Sequence, residues 1–316
     1  MIEELDFAQA SQDDRHGLYE VVAAWVVEDG REPPLYEACV ARWENRDELG
    51  FEASRFMVAR EAGTIIGYVQ VQVSEAEANA HLALATVVVL PEHRRRGIGT
   101  ALLGSMRSLL AGQTVIESWS VVEGTPAEQF AAARGFRVVT SMTRQKLVLG
   151  ELPEVGALPP GYELVTWNGA APDELVEAFV EGLNAMADAP FGETALDDAH
   201  NTVESIRQAE AEAVADRWVV LLLHKGEVAG VTVVERNSVD TTVAEQLHTV
   251  VLPAHRGKGL GRLIKASMLH NLTGVERIFT RTSSENEHML RVNHSLGYQD
   301  LYIYKAVQAK TADLQP

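Results

Sequence analysis

Cysteine is nearly missing from this sequence: Cys39 is the one thiol in 316 residues. A single thiol can form neither an intramolecular disulfide nor a cysteine-rich metal site. Its neighbours Leu35, Val40 and Trp43 fall at helical spacing, which predicts a buried structural role. Long apolar runs are also absent, so no membrane span is expected. The opening residues, Met1 to Asp6, carry three acidic groups and do not read as a secretory leader, so the expected location is the cytoplasm. Basic charge is in deficit, with 27 Lys and Arg against 45 Asp and Glu and a net charge of −18. That balance argues against nucleic acid as a partner and is compatible with a cationic or amine-bearing small substrate. No His-Glu-x-x-His or paired-ligand spacing occurs, so no metal is expected.

Against this acidic background two basic, glycine-rich turns stand out, each after an apolar strand and before an amphipathic helix. The first is Arg94-Arg95-Arg96-Gly97-Ile98-Gly99 and the second Arg256-Gly257-Lys258-Gly259-Leu260-Gly261. A turn of this kind offers backbone N–H groups and the positive end of a helix to an anion, so both read as diphosphate cradles. Pro91 and Pro253, Arg94 and Arg256, Gly99 and Gly261, and Gly135 and Gly297 all stand 162 residues apart. Arg55 and Arg217 share that offset, while Gly63 and Gly67 match Gly226 and Gly230 one residue further out, as a compensated insertion near a hairpin would give. The chain therefore divides into two copies of one domain, residues 1–149 and 162–316. The segment 150–161, with three prolines and three glycines, is the expected linker. Neither turn is a Walker loop, which needs Lys followed by Ser or Thr, nor a dinucleotide fingerprint with its third glycine and early position.

Periodicity predicts helices over 13–27 and 35–43, an antiparallel meander over 55–60, 65–73 and 81–90, and a helix after the first turn. A strand at 114–121, a helix at 126–134 and a strand at 136–148 follow. The second half repeats this order, with a strand at 162–167, helices from about 173 and over 197–213, and strands at 217–224, 228–236 and 243–252. After the second turn come a helix to about 272, a strand at 277–282, a helix at 286–296 and a strand at 298–306. The expected fold class is mixed α/β, with a largely antiparallel central sheet flanked by helices in each half.

With both turns and their trailing segments placed, the chain resembles the GNAT superfamily of acyl-CoA-dependent N-acyltransferases, in tandem form. The turns match its Arg/Gln-x-x-Gly-x-Gly/Ala pyrophosphate motif. The resemblance implies acetyl-CoA as cofactor, held by Val89, Leu90, Arg94, Arg95, Arg96, Gly97, Ile98, Gly99 and Thr100 in the first half. In the second half it implies Val250, Val251, Leu252, Arg256, Gly257, Lys258, Gly259, Leu260, Gly261 and Arg262. The stretch Asn286 to Tyr298 is similar to a second family segment, implying a pantetheine contact for Asn286 and placing Asn293 where the family has a tyrosine that protonates the leaving thiolate. An amide can donate a hydrogen bond there but cannot release a proton at neutral pH. The first half has Gly124 and Ala131 at those two places. The similarity to mycothiol synthases implies a catalytic C-terminal half and a degenerate N-terminal half.

Transfer to an amine needs a polarised thioester and proton traffic. On the strand before the second turn the titratable groups are Glu245 and His248, and Glu245 is the expected general base. Regular alternation would put these two on opposite faces, unless a bulge intervenes. The acidic segment 185–198, with Asp188, Glu193, Asp197 and Asp198, is a candidate acceptor loop or a helix-starting loop. The expected activity is transfer of an acyl group from acetyl-CoA to a small-molecule amine. Two readings stand beside it: a non-catalytic acyl-CoA-binding scaffold, and a mycothiol-synthase-like acetyltransferase. Acceptor, acyl length and oligomeric state are left open.

Overall fold

The computed structural model describes residues 1–45, 50–74, 76–185, 192–197, 200–213 and 215–314. They fold into two compact units. One comprises Met1–Ser141, Gly192–Ala199 and Tyr304–Pro316, the other Met142–Phe191 and His200–Ile303.

In the first unit the strands are β1 (Ile2–Leu5), β2 (Arg55–Glu61), β3 (Thr64–Val73), β4 (Leu82–Val89) and β5 (Val115–Val122). They lie side by side in chain order, antiparallel except where β4 runs parallel to β5. Alternate residues enter opposite cores, as the pleat requires, and an irregularity in the β2–β3 register at Ile66 shifts the phase by one residue. Ile65 and Tyr68 join Leu18, Val21 and Trp43 under helices α1 (Gln12–Glu28) and α2 (Tyr36–Glu44). Ile66 and Val69 join Leu102, Leu103 and Met106 under α3 (Ile98–Ser105). Helix α4 (Pro126–Ala133) follows β5 and sets Ala131 against Val121. Cys39 is buried, and that burial pushes its thiol up to about 11, so it is an inert packing residue. β1 has no predicted counterpart, because four residues with two glutamates carry too little apolar signal.

The second unit repeats the plan. Its strands are β7 (Tyr162–Asn168), β8 (Arg217–His224), β9 (Glu227–Arg236), β10 (Val243–Val251) and β11 (Arg277–Ser283), with helices α5 (Val176–Asn184), α6 (Val203–Glu212), α7 (Leu260–Asn271) and α8 (Glu287–Ser295). Leu221 and Val233 face α5 and α6, while Leu222 and Val234 face α7 and α8. Helix α6 begins later than residue 197, because Thr202 and Ser205 form a reciprocal capping box that fixes its start.

The sequence halves and the compact units part company at the last strand. β6 (Arg137–Val148) belongs to the first half by sequence, yet its residues Met142–Val148 pair antiparallel with β11 in the second unit. β12 (Gln299–Lys310) closes the second half, yet Tyr304–Lys310 pair with β5 in the first unit. Each unit is completed by a strand from the other repeat. Segment 150–161 holds no helix or strand before Tyr162 and lies in the second unit, where the Pro153 carbonyl accepts from His270 and the Glu154 carbonyl from Arg262.

The acidic segment also departs from expectation. Residues 192–197 pack in the first unit, with Glu193 paired to Arg137, and the Asp197 backbone bonded to both ends of the Asn79 amide. Thr194 Oγ1 and the Ala195 N–H donate to Glu117, a fully buried carboxylate that also accepts from Trp119 Nε1 and Gln308 Nε2. Four donors satisfy this buried charge, which would otherwise be costly. Asp188 and Asp198 lie outside the described residues.

Candidate active site

In each unit the strand before the basic turn pairs with its parallel neighbour for a few residues only. Leu82–Leu84 pair with Val115–Glu117 in the first, and Val243–Gln246 with Arg277–Thr280 in the second. Beyond those rungs the parallel register ends, and β4 and β10 run on to Val89 and Val251 before the turn. Gly97 (φ 81°) and Gly259 (φ 72°) sit at the N-caps of α3 and α7 in the left-handed region, where a side chain is strained. Neither helix has a side-chain cap, so its first N–H groups are left for an external acceptor. This geometry fits a diphosphate.

The first arginine of each turn does the same work in both copies. Arg94 Nε donates to the Val89 carbonyl at 2.9 Å and Arg256 Nε to the Val251 carbonyl at 2.8 Å, tying the turn to its own strand end. Arg94 is further held by Glu28, and Arg96 by Glu61, whereas Arg95 is exposed and makes no ion pair among the described residues. Lys258 donates to the Tyr162 hydroxyl at 2.9 Å. Beside it His255 is held below its usual range, by burial first and then by His224 and the Lys258 charge.

The first unit opens a cleft of about 510 Å³ along its turn. Val89, Arg94, Arg95, Gly97, Ile98, Gly99 and Thr100 line it, with the diverging strands and α4 beyond them. Leu90 and Arg96 stand outside this lining.

In the second unit β10 carries an irregularity that β4 lacks. Glu245 pairs with Glu235, Gln246 with Val234 and His248 with Val233, so Leu247 is an inserted residue. Glu235 and Val233 are two apart on β9, so the bulge brings Glu245 and His248 to the same face of the sheet. The β3–β4 register runs unbroken from Gly67–Val89 to Val73–Ala83. Gln246 stitches the bulge together, donating to the Val233 and His248 carbonyls at 2.7 and 3.0 Å. The two carboxylate oxygens of Glu245 accept from Arg144 at 2.5 and 2.8 Å.

Asn293 is fully buried on α8; its amide donates to Gln145 Oε1 at 2.7 Å and Thr282 Oγ1 at 3.1 Å. Its own oxygen, the Gln246 oxygen and the Tyr298 hydroxyl are buried without partners among the described residues. The Asn286 oxygen caps α8 by accepting from the Met289 N–H. Lys265 on α7 is buried with its ammonium 5.0 Å from the centre of the Tyr298 ring, and burial brings its pKa down to about 7. Burial, then the Glu245 charge, raises Tyr298. Sequence reasoning missed Arg144, Gln246 and Lys265. For Lys265 the signal was present, a lysine in the apolar stripe of α7 at the place Leu103 holds in α3.

The family model for the acetyltransferase (GNAT) family matches residues 17–136 and 180–298. Mycothiol acetyltransferase of Catenulispora acidiphila is 31% identical over 222 residues, covering 68% of each chain. The Nocardia farcinica protein of that name is 29% identical over 307 residues, covering 93% of each. A solved tandem GNAT protein from the clavulanic acid biosynthesis pathway superposes with a TM-score of 0.76 at 26% identity, covering 98% of both chains. No helix among the described residues is long and apolar enough to cross a membrane. With the family matched once on each repeat, around each glycine turn, the chain belongs to the GNAT acetyltransferase family and is an N-acetyltransferase.

Proposed function

We propose that this protein acetylates the amine of a small molecule from acetyl-CoA, with the chemistry in the second unit and binding alone in the first. The observation that carries this reading is the bulge at Leu247, present in β10 and missing from β4. A bulge takes backbone groups out of the ladder, and an N–H released there can polarise a carbonyl. The same bulge aligns Glu245 and His248 on one face, whereas the residues on the corresponding rungs of the unbroken β4 are Leu84 and Thr86.

Acetyl-CoA, when bound, supplies an activated thioester. Toward it, Gly259 and the uncapped start of α7 offer backbone donors to the diphosphate, with Lys258 and Arg262 adding charge. Glu245 is the proposed proton acceptor for the attacking amine; Arg144 orients it, and each carboxylate oxygen keeps a further lone pair. Asn293 donates hydrogen bonds but no proton, so it is proposed to hold the site's shape. The similarity to mycothiol acetyltransferases supports a small acceptor bearing a cysteinyl or sugar amine.

Acetyl-CoA calorimetry and a CoA-release assay over an amine panel, on the wild type, Gly97→Glu and Gly259→Glu, test this reading. Turnover lost in Gly259→Glu and kept in Gly97→Glu is the expected result. Binding without turnover on any amine would favour the second reading, a non-catalytic acyl-CoA-binding protein, which Asn293 at the tyrosine position supports.

A further inference from the structure

We propose that the cleft of the first unit is a site for acyl-CoA thioesters whose acyl group is uncharged and longer than acetyl, of about four to six carbons. This rests on the reading that the glycine turns hold CoA. At about 510 Å³ the cleft falls in the ordinary range for small-ligand pockets, roughly 300–1,000 Å³.

The two repeats provide an internal comparison at fixed offset. Along the wall of the first-unit cleft stand Ala85, Ser118, Ser120, Ala127 and Ala131. Matched by strand rungs and by the helix offset, the second repeat has Gln246, Thr280, Thr282, Met289 and Asn293 at the corresponding places. All five are smaller in the first unit, and they come from both diverging strands and from α4. The widening is therefore distributed around the cleft, not confined to one wall. Val121 is larger than its counterpart Ser283 but packs against Ala131 and Val307, and Arg134, opposite Leu296, is tied to Thr100 of the turn. Phe130 is larger than its counterpart Val292 but packs at the turn end, where a Cβ on Gly99 would come within 3.3 Å of its ring. It narrows the mouth and leaves the inner end open.

The inner end lies just past the last paired rungs, at Ala85 and Ser118. Val87, Leu103 and Phe136 also line the cleft, so the lining favours methylene groups over a terminal charge. The one acidic group beside the inner rungs, Glu117, is already satisfied by four donors. With no bulge in β4, the site has the shape to retain a thioester without the arrangement that turns one over.

The test uses the full chain carrying Gly259→Glu, so that only the first turn titrates, with calorimetry against CoA, acetyl-CoA, butanoyl-CoA, hexanoyl-CoA and succinyl-CoA. Affinity should rise by up to about fourfold for each methylene that is fully buried. Hexanoyl-CoA, even with its four extra methylenes only partly buried, should therefore bind at least about tenfold tighter than acetyl-CoA, with succinyl-CoA below butanoyl-CoA. Adding Ala131→Leu should abolish that gain and leave acetyl-CoA binding. Hexanoyl-CoA binding no tighter than acetyl-CoA would overturn the proposal while keeping the cradle. Loss of every CoA ligand would instead remove the reading beneath it. If Gly259→Glu does not fold, hydrogen exchange on the wild type decides: hexanoyl-CoA should protect β4 and β5 more strongly than acetyl-CoA, and equal protection would overturn the idea.

Discussion

Asn293 donates its amide hydrogen to Gln145 at 2.7 Å, although 148 residues separate the two in the chain. Gln145 reaches Asn293 because β6, a first-repeat strand, is built into the second unit beside β11. Gln145 in turn donates to Asp300 at 2.7 Å, so one buried amide joins the helix of the family segment to the strand after it. The wall of the candidate catalytic site is therefore drawn from both repeats.

Gln145→Leu should leave the Asn293 amide short of a partner in a dry environment and cost about 1–3 kcal/mol. The double variant Gln145→Leu, Asn293→Leu should cost less than the two single changes together, because neither amide is then left to strand the other. Denaturant unfolding of the four proteins gives the coupling, and strict additivity would mean the bond contributes nothing specific.

Lys265 gives a pH-dependent prediction. Its folded pKa of about 7 lies below the ordinary 10.5, so between those values the unfolded chain binds the extra proton. The penalty for burying this amine is full below pH 7, shrinks as pH rises and is gone above 10.5. Lys265→Met should therefore stabilise the second unit by up to about 5 kcal/mol at pH 6 and by little near pH 10.5. Thermal melts across that range check it, and a pH-independent gain would refute the buried-amine account.

Glu245→Gln should lower kcat by about 10²- to 10⁴-fold if this carboxylate accepts the amine proton, while acetyl-CoA affinity stays nearly constant. Rates measured with and without saturating amine separate the two effects. Unchanged kcat would transfer the role to another group on that face, with His248 the next to test.

Glu117→Leu should release residues 194–195 from the first unit, since the buried carboxylate accepts from Thr194 and Ala195. Four donors would lose their acceptor, and hydrogen exchange should show the Ala195 amide opening before the strands of its unit. Protection equal to the wild type would show that the remaining contacts of 192–197 suffice.

Much of the fold was legible in the sequence because it was written twice. The 162-residue offset marked both turns, and the glycines explain their own recurrence: a Cβ on Gly67 or Gly230 would come within 2.7 Å of a neighbouring strand carbonyl, Val88 or Val250. The strand exchange was not legible. Apolar alternation in β6 and β12 states that each is buried, and says nothing about whose edge it joins. The bulge was equally silent, since Gln246, Leu247 and His248 read as ordinary polar–apolar alternation; only pairing with β9 exposes the inserted residue. Asn293 was visible as a departure from the family pattern, but its bond to Gln145 depended on the exchange.

The exchange also sets an order on folding during synthesis. β5 cannot gain its partner along Val115–Val122 until β12, the last strand among the described residues, has left the ribosome. Until then the first unit carries an open strand edge, the kind of surface that invites pairing with a stranger. β6, in contrast, is made well before β11 and waits for it. The first copy is held open until the last strand of the second has been made. Substitutions that slow or weaken β12 should thus act on yield and aggregation before they touch catalysis.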